Sequence, residues 1–411
     1  MITSLRSNPN FRGFLALYTS TALSGAWAMI LPTIPLLSAE FAVSPGAAAQ
    51  IVTAFGLGRF VGTAGGGVII DRLGTRAALV GGPLAAGTAS LFAAGAPWLS
   101  LLLLLAFVMG AGDSLWSSGR EVAGIDLARK TQRGRVLSSL HGTNNIGLAF
   151  CPLLGGLLTD LWSFRAAFVA YAASAGMAVY VGFIVPKSPV SSLPQKAPAA
   201  VKGWGLGPQL KRLRGLRELY RQIDPDLRST YLVLVLATLA AHSQRVMVQS
   251  MLPLYAGTYL GLSPTDVGLL FTISGIFVFA MILPSGIIMD RVGRKWATVP
   301  STGLPAIAFL LIPLTDNFAE LALLVSLTGV CNGLSLGSLA TSTYDVVPSH
   351  ARGRLQAARR TAAETGGVFA PLLGGYLANT FDPGVPFLVY APLLIFSALL
   401  LALIGRETLE R

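Results

Sequence analysis

Charge is scarce in this chain. Asp, Glu, Lys and Arg together make up 12% of its 411 residues, where a soluble domain carries about 25%. Hydrophobic residues make up 53% and the mean hydropathy is +0.66, which argues against an ordinary water-soluble globule. There are only 2 cysteines. Cys151 and Cys331 both fall in apolar stretches, so a disulfide scaffold is excluded and two free buried thiols are expected. No dense His/Cys/carboxylate spacing supports a metal enzyme. No phosphate-cradling Gly-rich loop closes on Lys-Ser/Thr, so direct ATP drive has no support. No catalytic cluster is found, and no enzyme is expected. The amino-terminal stretch runs on through Pro32 and Pro35 without a plausible cleavage site, unlike a signal peptide.

What the chain has in abundance is apolar runs. A helix needs about 20 mainly apolar residues to cross a bilayer. Twelve stretches qualify on this reading, roughly 12–37, 47–70, 77–95, 99–122, 136–159, 165–185, 229–253, 266–288, 296–315, 319–344, 357–378 and 384–404. All are expected to be helical, because open sheet edges cannot be satisfied in lipid. The net charge of +12 is then a topology signal rather than a nucleic-acid signal. Basic residues gather in the even-numbered connections, as Arg72 and Arg76, Arg129, Lys130, Arg133 and Arg135, Arg291, Arg294 and Lys295, and Arg352 and Arg354. The tails add Arg6, Arg12, Arg406 and Arg411, and the opposite loops carry almost none; Arg165 is the exception. Both termini are therefore expected in the cytoplasm of a multi-pass plasma (inner) membrane protein.

The chain also repeats itself. G-V-I-I-D-R-L-G-T-R from Gly67 returns as G-I-I-M-D-R-V-G-R-K from Gly286, 219 residues later. The same offset relates Ser44-Pro45 to Ser263-Pro264, Arg133-Gly134-Arg135 to Arg352-Gly353-Arg354, and P-L-L-G-G from Pro152 to P-L-L-G-G from Pro371. The expected fold is an all-α polytopic membrane protein of twelve transmembrane helices in two pseudo-symmetric six-helix bundles. Residues 1–186 and 229–411 would be the bundles, around a central cavity suited to rocking-bundle alternating access. Residues 187–228 would be a basic cytoplasmic linker. Within it L-K-R-L-R-G-L-R-E-L-Y-R-Q-I, residues 210–223, has helical spacing and basic side chains suited to anionic lipid headgroups.

These residues resemble the major facilitator superfamily of secondary transporters, whose G-x-x-x-D-R-x-G-R-[RK] motif links the second and third helices and recurs between the eighth and ninth. The second copy here is complete: Gly286, Asp290, Arg291, Gly293, Arg294 and Lys295. The first has Gly67, Asp71, Arg72, Gly74 and Arg76, with Thr75 where a basic residue is usual. The resemblance implies a gating role for both copies and covers the whole chain. In the fifth span G-L-A-F-C-P-L-L-G-G resembles the glycine-proline motif of drug/proton antiporters through Gly147, Pro152 and Gly155, with Cys151 in place of a glycine. The arginine usual in that group's fourth helix is absent, the corresponding stretch reading A-F-V-M-G from Ala106. Close helix packing and a proline bend explain the same residues without antiport.

Ionisable groups inside apolar spans are costly and mark partners or wet cavities. Asp113 and Glu364 are the proton-coupling candidates. Arg59 and Glu364, on spans that pack across the domain interface in the superfamily, are expected to approach in at least one state. Arg120, two turns beyond Asp113, is either its partner or part of a cytoplasmic gate. Glu121 is expected to join Asp126, Arg72 and Arg76 at the membrane surface. Arg59, Arg245 and His242 would attract an anionic group, although Arg245 would equally neutralise Asp113. Asn144, Asn145 and Asn332 offer hydrogen bonds, and Trp27, Trp116 and Tyr255 offer apolar contact; for each aromatic, plain packing is the favoured alternative. His141 is expected to be a packed polar residue.

The leading expectation is efflux of a hydrophobic or amphipathic small molecule in exchange for protons. The alternative is organic-anion uptake or exchange, or lipid or lysolipid transport. No cofactor beyond a proton gradient, no metal and no nucleic-acid partner is expected, and the chain is expected to act as a monomer.

Overall fold

The computed structural model describes residues 11–129, 132–186, 218–335, 337–348 and 351–408. Among these the chain is helical throughout. In order, α1 is Phe11–Ser24, followed by a 3₁₀ stretch Gly25–Thr33 and α2, Ile34–Glu40. Then come α3 (Pro45–Leu73), α4 (Thr75–Ala94), α5 (Leu99–Leu127), α6 (Arg133–Leu161) and α7 (Phe164–Ile184). A short turn, Pro225–Leu227, leads into α8 (Arg228–Leu254) and a π turn, Tyr255–Tyr259. The rest is α9 (Pro264–Arg291), α10 (Arg294–Gly303), α11 (Pro305–Leu311), α12 (Phe318–Ser335), α13 (Ser338–Val346), α14 (Arg352–Thr380) and α15 (Val385–Leu403).

Local chemistry sets the breaks. The motif glycines Gly74 and Gly293 stand at φ 84° and 145°, where a Cβ is disfavoured, and each ends one long helix so that the next can start. Ser263 opens α9 with a reciprocal capping box to Asp266. Pro32 lies inside the 3₁₀ stretch of the first span, and Pro300 and Pro305 flank the break between α10 and α11. The 219-residue offset survives in the helices themselves: α6 and α14, each 29 residues, begin at Arg133 and Arg352.

Nine helical segments among the described residues are long and apolar enough to cross a membrane, or ten if the pair Pro45–Thr63 and Gly65–Leu73, bent by 46°, counts as one span. The protein is thus a polytopic membrane protein. α6 and α14, counted among the twelve expected spans, are long enough but do not qualify on composition. Both are polar helices carrying Arg135, Asn144 and Asn145 or Arg359, Arg360 and Glu364. The remaining outward faces are apolar, with Phe92, Leu104, Tyr180, Phe279, Leu283, Leu323 and Leu403 exposed where lipid would lie.

Packing differs between the two ends. One core cluster joins both halves of the chain, from Ile34, Phe55 and Phe168 to Leu254, Phe309 and Phe387. At the opposite end two separate clusters remain, one around Leu17, Leu79 and Leu140 and the other around Leu234, Val346 and Leu355. We call these the sealed end and the motif end, since Asp71 and Asp290 lie at the second. Residues 210–217 of the expected surface helix lie outside the described residues, as do Arg6, Lys130 and Arg411. In the rest of that segment Leu219 and Ile223 are buried in the second-half cluster, so its apolar side there packs on protein.

Candidate functional site

Between the halves lies a cavity of about 400 Å³, lined from the 3₁₀ stretch, α3, α6, α8, α9, α12 and α14. Of the residues expected at a site, Trp27, Arg59, Asn144, Asn145, His242, Arg245, Asn332 and Glu364 all line it. They come from segments far apart in sequence and meet only through the cross-half packing of α3 on α14 and α6 on α9.

Arg59 is held by Asp113. Its Nη1 lies 2.5 Å from Asp113 Oδ2, and the carboxylate is 3% exposed against 37% for the guanidinium. Asp113 sits behind Arg59 rather than on the cavity wall. The reason is the crossing of α3 and α5: at Gly58 an added Cβ would overlap the Phe107 carbonyl, and at Gly110 the Phe55 carbonyl. Without side chains at the crossing the two backbones come close enough for this pair to form, and a hydroxyl bond between Thr63 and Ser114 (2.7 Å) lies one turn further on.

The expected Arg59–Glu364 approach is not made in this structure. Glu364 instead lies 3.9 Å from His242 Nε2, and Gly367 leaves the room that His242 occupies. Neither Arg120 nor Arg245 forms an ion pair with Asp113. Arg120 is buried, donates to the Thr21 carbonyl (3.3 Å) and the Ser24 hydroxyl, and lies 5.0 Å over the Trp116 ring. It therefore pins the end of α1, where the helix tightens into 3₁₀ geometry. Arg245 makes no hydrogen bond or ion pair to another described residue and faces the cavity.

Two expected binding aromatics are elsewhere. Trp116 is fully buried with its indole N–H on Ser20 Oγ (2.9 Å). Tyr255 is fully buried near the sealed end, its hydroxyl on the Thr315 carbonyl (3.0 Å). Helical position alone does not tell a cavity face from a core face when a span is apolar all round. His141, expected to be packed, is exposed. Cys331 is buried and Cys151 half-buried, both as free thiols.

The gating residues separate into two kinds. In the second motif copy Arg294 bridges Asp290 and Asp345, both at 3.1 Å. Glu407 accepts the backbone N–H groups of Arg294 (2.7 Å) and Lys295 (3.1 Å), and the Lys295 ammonium donates to the Ala402 carbonyl. In the first copy Arg76 donates to the carbonyls of Phe183 (2.6 Å) and Val185 (3.2 Å). Asp71, Arg72, Asp126 and Arg291 form no ion pair among the described residues, so the expected surface clamp with Glu121 is not assembled. Glu121 lies instead 3.9 Å from Arg360 across the halves. Gly67 and Gly286 face open space.

The fifth-span motif is a packing device. An added Cβ at Gly147 would meet Ala22 and Gly25, and at Gly155 would meet Met29, all backbone atoms of the first span. Pro152 and Gly156 meet Gly268 and Pro264 of α9 across the halves. Sequence reasoning missed the apolar side of the cavity, Val52, Phe55, Leu148 and Val278, whose residue types do not distinguish them from core.

The pattern described as Major Facilitator Superfamily matches residues 17–241 and 234–410. A curated relative, "Multidrug resistance protein MdtH" of Salmonella arizonae, is 27% identical over 362 residues, covering 85% of this chain and 82% of the relative. The protein of that name from Salmonella paratyphi B is 27% identical over 359 residues, with the same coverage. Among solved structures a D-xylose–proton symporter superposes with a TM-score of 0.75 at 18% identity, covering 97% of this chain and 98% of its own. A peptide transporter bound to sulfate gives 0.76 at 14% identity, covering 96% and 95%. A point mutant of the nucleoside transporter NupG gives 0.75 at 13% identity, covering 97% and 100%.

These matches correct the expectation of efflux by antiport. A proton symporter, a peptide transporter and a nucleoside transporter share this architecture over nearly their full length, and the fifth-span glycines that suggested an antiporter are packed against the first span. The polytopic fold, the duplicated charged turn and the match over nearly the whole chain agree: this chain belongs to the major facilitator superfamily, as a secondary transporter rather than an enzyme.

Proposed function

We propose that the protein carries out proton-coupled uptake or exchange of a small organic anion through the cavity between its halves. The carrying observation is Arg245, a guanidinium on the cavity wall with no ion pair among the described residues, with Arg59 presenting its free edge to the same space. Nine apolar segments, the bent α3 and the polar α6 and α14 together make twelve spans, arranged as two six-helix bundles in residues 1–186 and 229–411. The polar character of α6 and α14 fits this reading, since helices lining a wet passage need not be apolar all round. The bundles rock about the central site, the motif end and both termini face the cytoplasm, and the chain works as a monomer.

Charge balance supports proton coupling. The guanidiniums of Arg59 and Arg245 are matched in number by the carboxylates of Asp113 and Glu364, although Arg245 pairs with neither. An anion arriving alone would leave a negative charge uncompensated in a low-dielectric site, at a cost on the order of several kcal/mol. A proton on Glu364 or Asp113 removes that charge, so anion and proton travel together. Arg59 and Arg245 hold the anion, Asn144, Asn145 and Asn332 supply hydrogen bonds, and the two motif copies with Glu121 and Arg360 set the conformational balance.

Flux in proteoliposomes tests this reading. Organic anion uptake should accelerate when the outer solution is made more acidic than the lumen, and Arg245→Gln should abolish it. Flux indifferent to the pH gradient removes proton coupling, and flux of neutral or cationic solutes but not anions removes the anion assignment.

A further inference from the structure

The polarity of the cavity changes with depth. α3 runs from the sealed end toward the motif end and presents Val52, Phe55 and Arg59 in that order, spaced three and four residues apart on one face. At 1.5 Å per residue, Arg59 lies about 6 Å nearer the motif end than Phe55. α9 runs the same way and places Phe271 early in its length, while α6 and α14, running in reverse, bring Asn144 and Glu364 in from the motif end before reaching apolar positions such as Leu148. Trp27 stacks on Phe55, ring centroids 4.5 Å apart and planes 17° from parallel. Arg59, His242 and Glu364 form an upper layer near the motif end, above an aromatic floor of Trp27, Phe55 and Phe271. Arg245 starts level with that floor, since Gly367 meets His242 and Val246 on one side and Gly56 on the other, but α8 begins at the motif end and its side chains lean back toward the charged layer. Gln249 is the polar exception in that floor.

Level with the floor Thr272 Oγ1 donates to the Ala149 carbonyl (2.7 Å), and the sealed seam closes beneath it where Gly268 stands against the Pro152 carbonyl and Leu153. Anything resting on the floor therefore touches both halves.

From this layering we propose that the substrate is an amphipathic organic anion with an aryl or bulky apolar end. It binds with that end down on Trp27 and Phe271 and its acid group up between Arg59 and Arg245. The proposal rests on the organic-anion reading above and deepens it. A hydrophilic anion satisfies the upper layer but leaves the floor wetted, so the ring is what raises affinity. Trp27 then sets specificity: its exposed face meets the aryl group, and the 3₁₀ stretch that carries it is held by Arg120 at one end and packed on Gly147 and Gly155 along its length.

Equilibrium binding of tritiated 3-phenylpropionate to the purified full-length chain in detergent tests this, with propionate, 3-phenylpropanol and 3-phenylpropylamine as competitors. The acid bearing a ring should compete at least about tenfold better than propionate. Trp27→Ala should erase that margin, Trp27→Phe should keep most of it, and propionate binding should survive both, showing that the variants fold. Equal competition by propionate and 3-phenylpropionate overturns the proposal and leaves the anion reading standing. So does a Trp27→Ala variant that weakens both acids alike. If 3-phenylpropanol or the amine competes as well as the acid, the anion reading fails and takes this proposal with it.

Discussion

The sealed end and the motif end are built from the same repeated sequence and behave differently. At the sealed end Gly46 N–H donates to Asn379 Oδ1 (2.8 Å), Gln50 Nε2 to the Pro371 carbonyl (3.4 Å) and Thr265 N–H to Asp160 Oδ2 (2.9 Å), each joining the two halves. Glycines there meet backbone from the other half: Gly156 against Pro264, Gly268 against Pro152, Gly375 against Gly46. At the motif end Gly65, Gly67, Gly142 and Gly286 meet nothing within 4 Å. Among the described residues one shared core therefore holds the first end, while at the second the charged turns bond within their own half and Glu121 approaches Arg360 across the halves. The cavity lies on the motif side of these seams, and a state open at the other end requires the glycine seams to part.

The largest effect should come from wedging that seam. Gly268→Leu forces a side chain against the Pro152 carbonyl and Leu153 backbone. Overpacking of about 1–3 kcal/mol, applied to the sealed state alone, shifts the balance by roughly 5- to 150-fold. Spin labels at the exposed positions Trp162 and Phe381, in a background lacking Cys151 and Cys331, should then report a longer distance by electron–electron resonance. An unchanged distance would show that the seam is not what keeps this end shut.

A smaller shift in the same direction should follow Asn379→Ala, which removes one acceptor from the Gly46 N–H at about 1 kcal/mol, or roughly fivefold in population. The same pair of labels reads it.

The motif end is sharpened by comparing its two turns. Arg294→Ala breaks two ion pairs, and Glu407→Gln weakens the cap on the first N–H groups of α10. Each should lower the melting temperature of the purified protein, with a loss of about 1 kcal/mol for the cap. Arg76→Ala, which loses only bonds to two carbonyls, should cost less than Arg294→Ala. The reverse order would mean that the first copy is anchored by more than these contacts.

The smallest effect belongs to Glu121 and Arg360, 3.9 Å apart with side chains 31% and 70% exposed. A double-mutant cycle with Glu121→Gln and Arg360→Gln should give a coupling below about 0.5 kcal/mol in melting experiments. A coupling well above about 1 kcal/mol, the usual ceiling for solvated pairs, would mean that an ion pair, and not only separate clusters, governs the motif end.

Most of the helices were legible because apolar runs and turn residues are local signals. Gly74 and Gly293 marked their turns, since only glycine tolerates the backbone those positions require. The first span read as one helix yet is broken by a 3₁₀ stretch, and the polar α6 and α14 do not pass on apolarity alone. At the site, intramembrane charge singled out Arg59, Asp113, Arg245 and Glu364, because lipid does not tolerate such groups without a partner or water, and three of the four line the cavity. The pairing among them was not legible, and neither was the burial of Trp116 and Tyr255.

By itself the sequence determined that this protein is helical, membrane-spanning and internally duplicated, because hydrophobic periodicity and a constant repeat offset are carried by neighbouring residues. Only the tertiary structure decided that Asp113 takes Arg59, that Arg245 is left facing the cavity, and that one end is sealed while its counterpart is open. Those outcomes depend on where α3 crosses α5 and α6 meets α9. Such crossings are set by small residues from distant segments coming within a few ångströms of one another, a distance that no local pattern encodes.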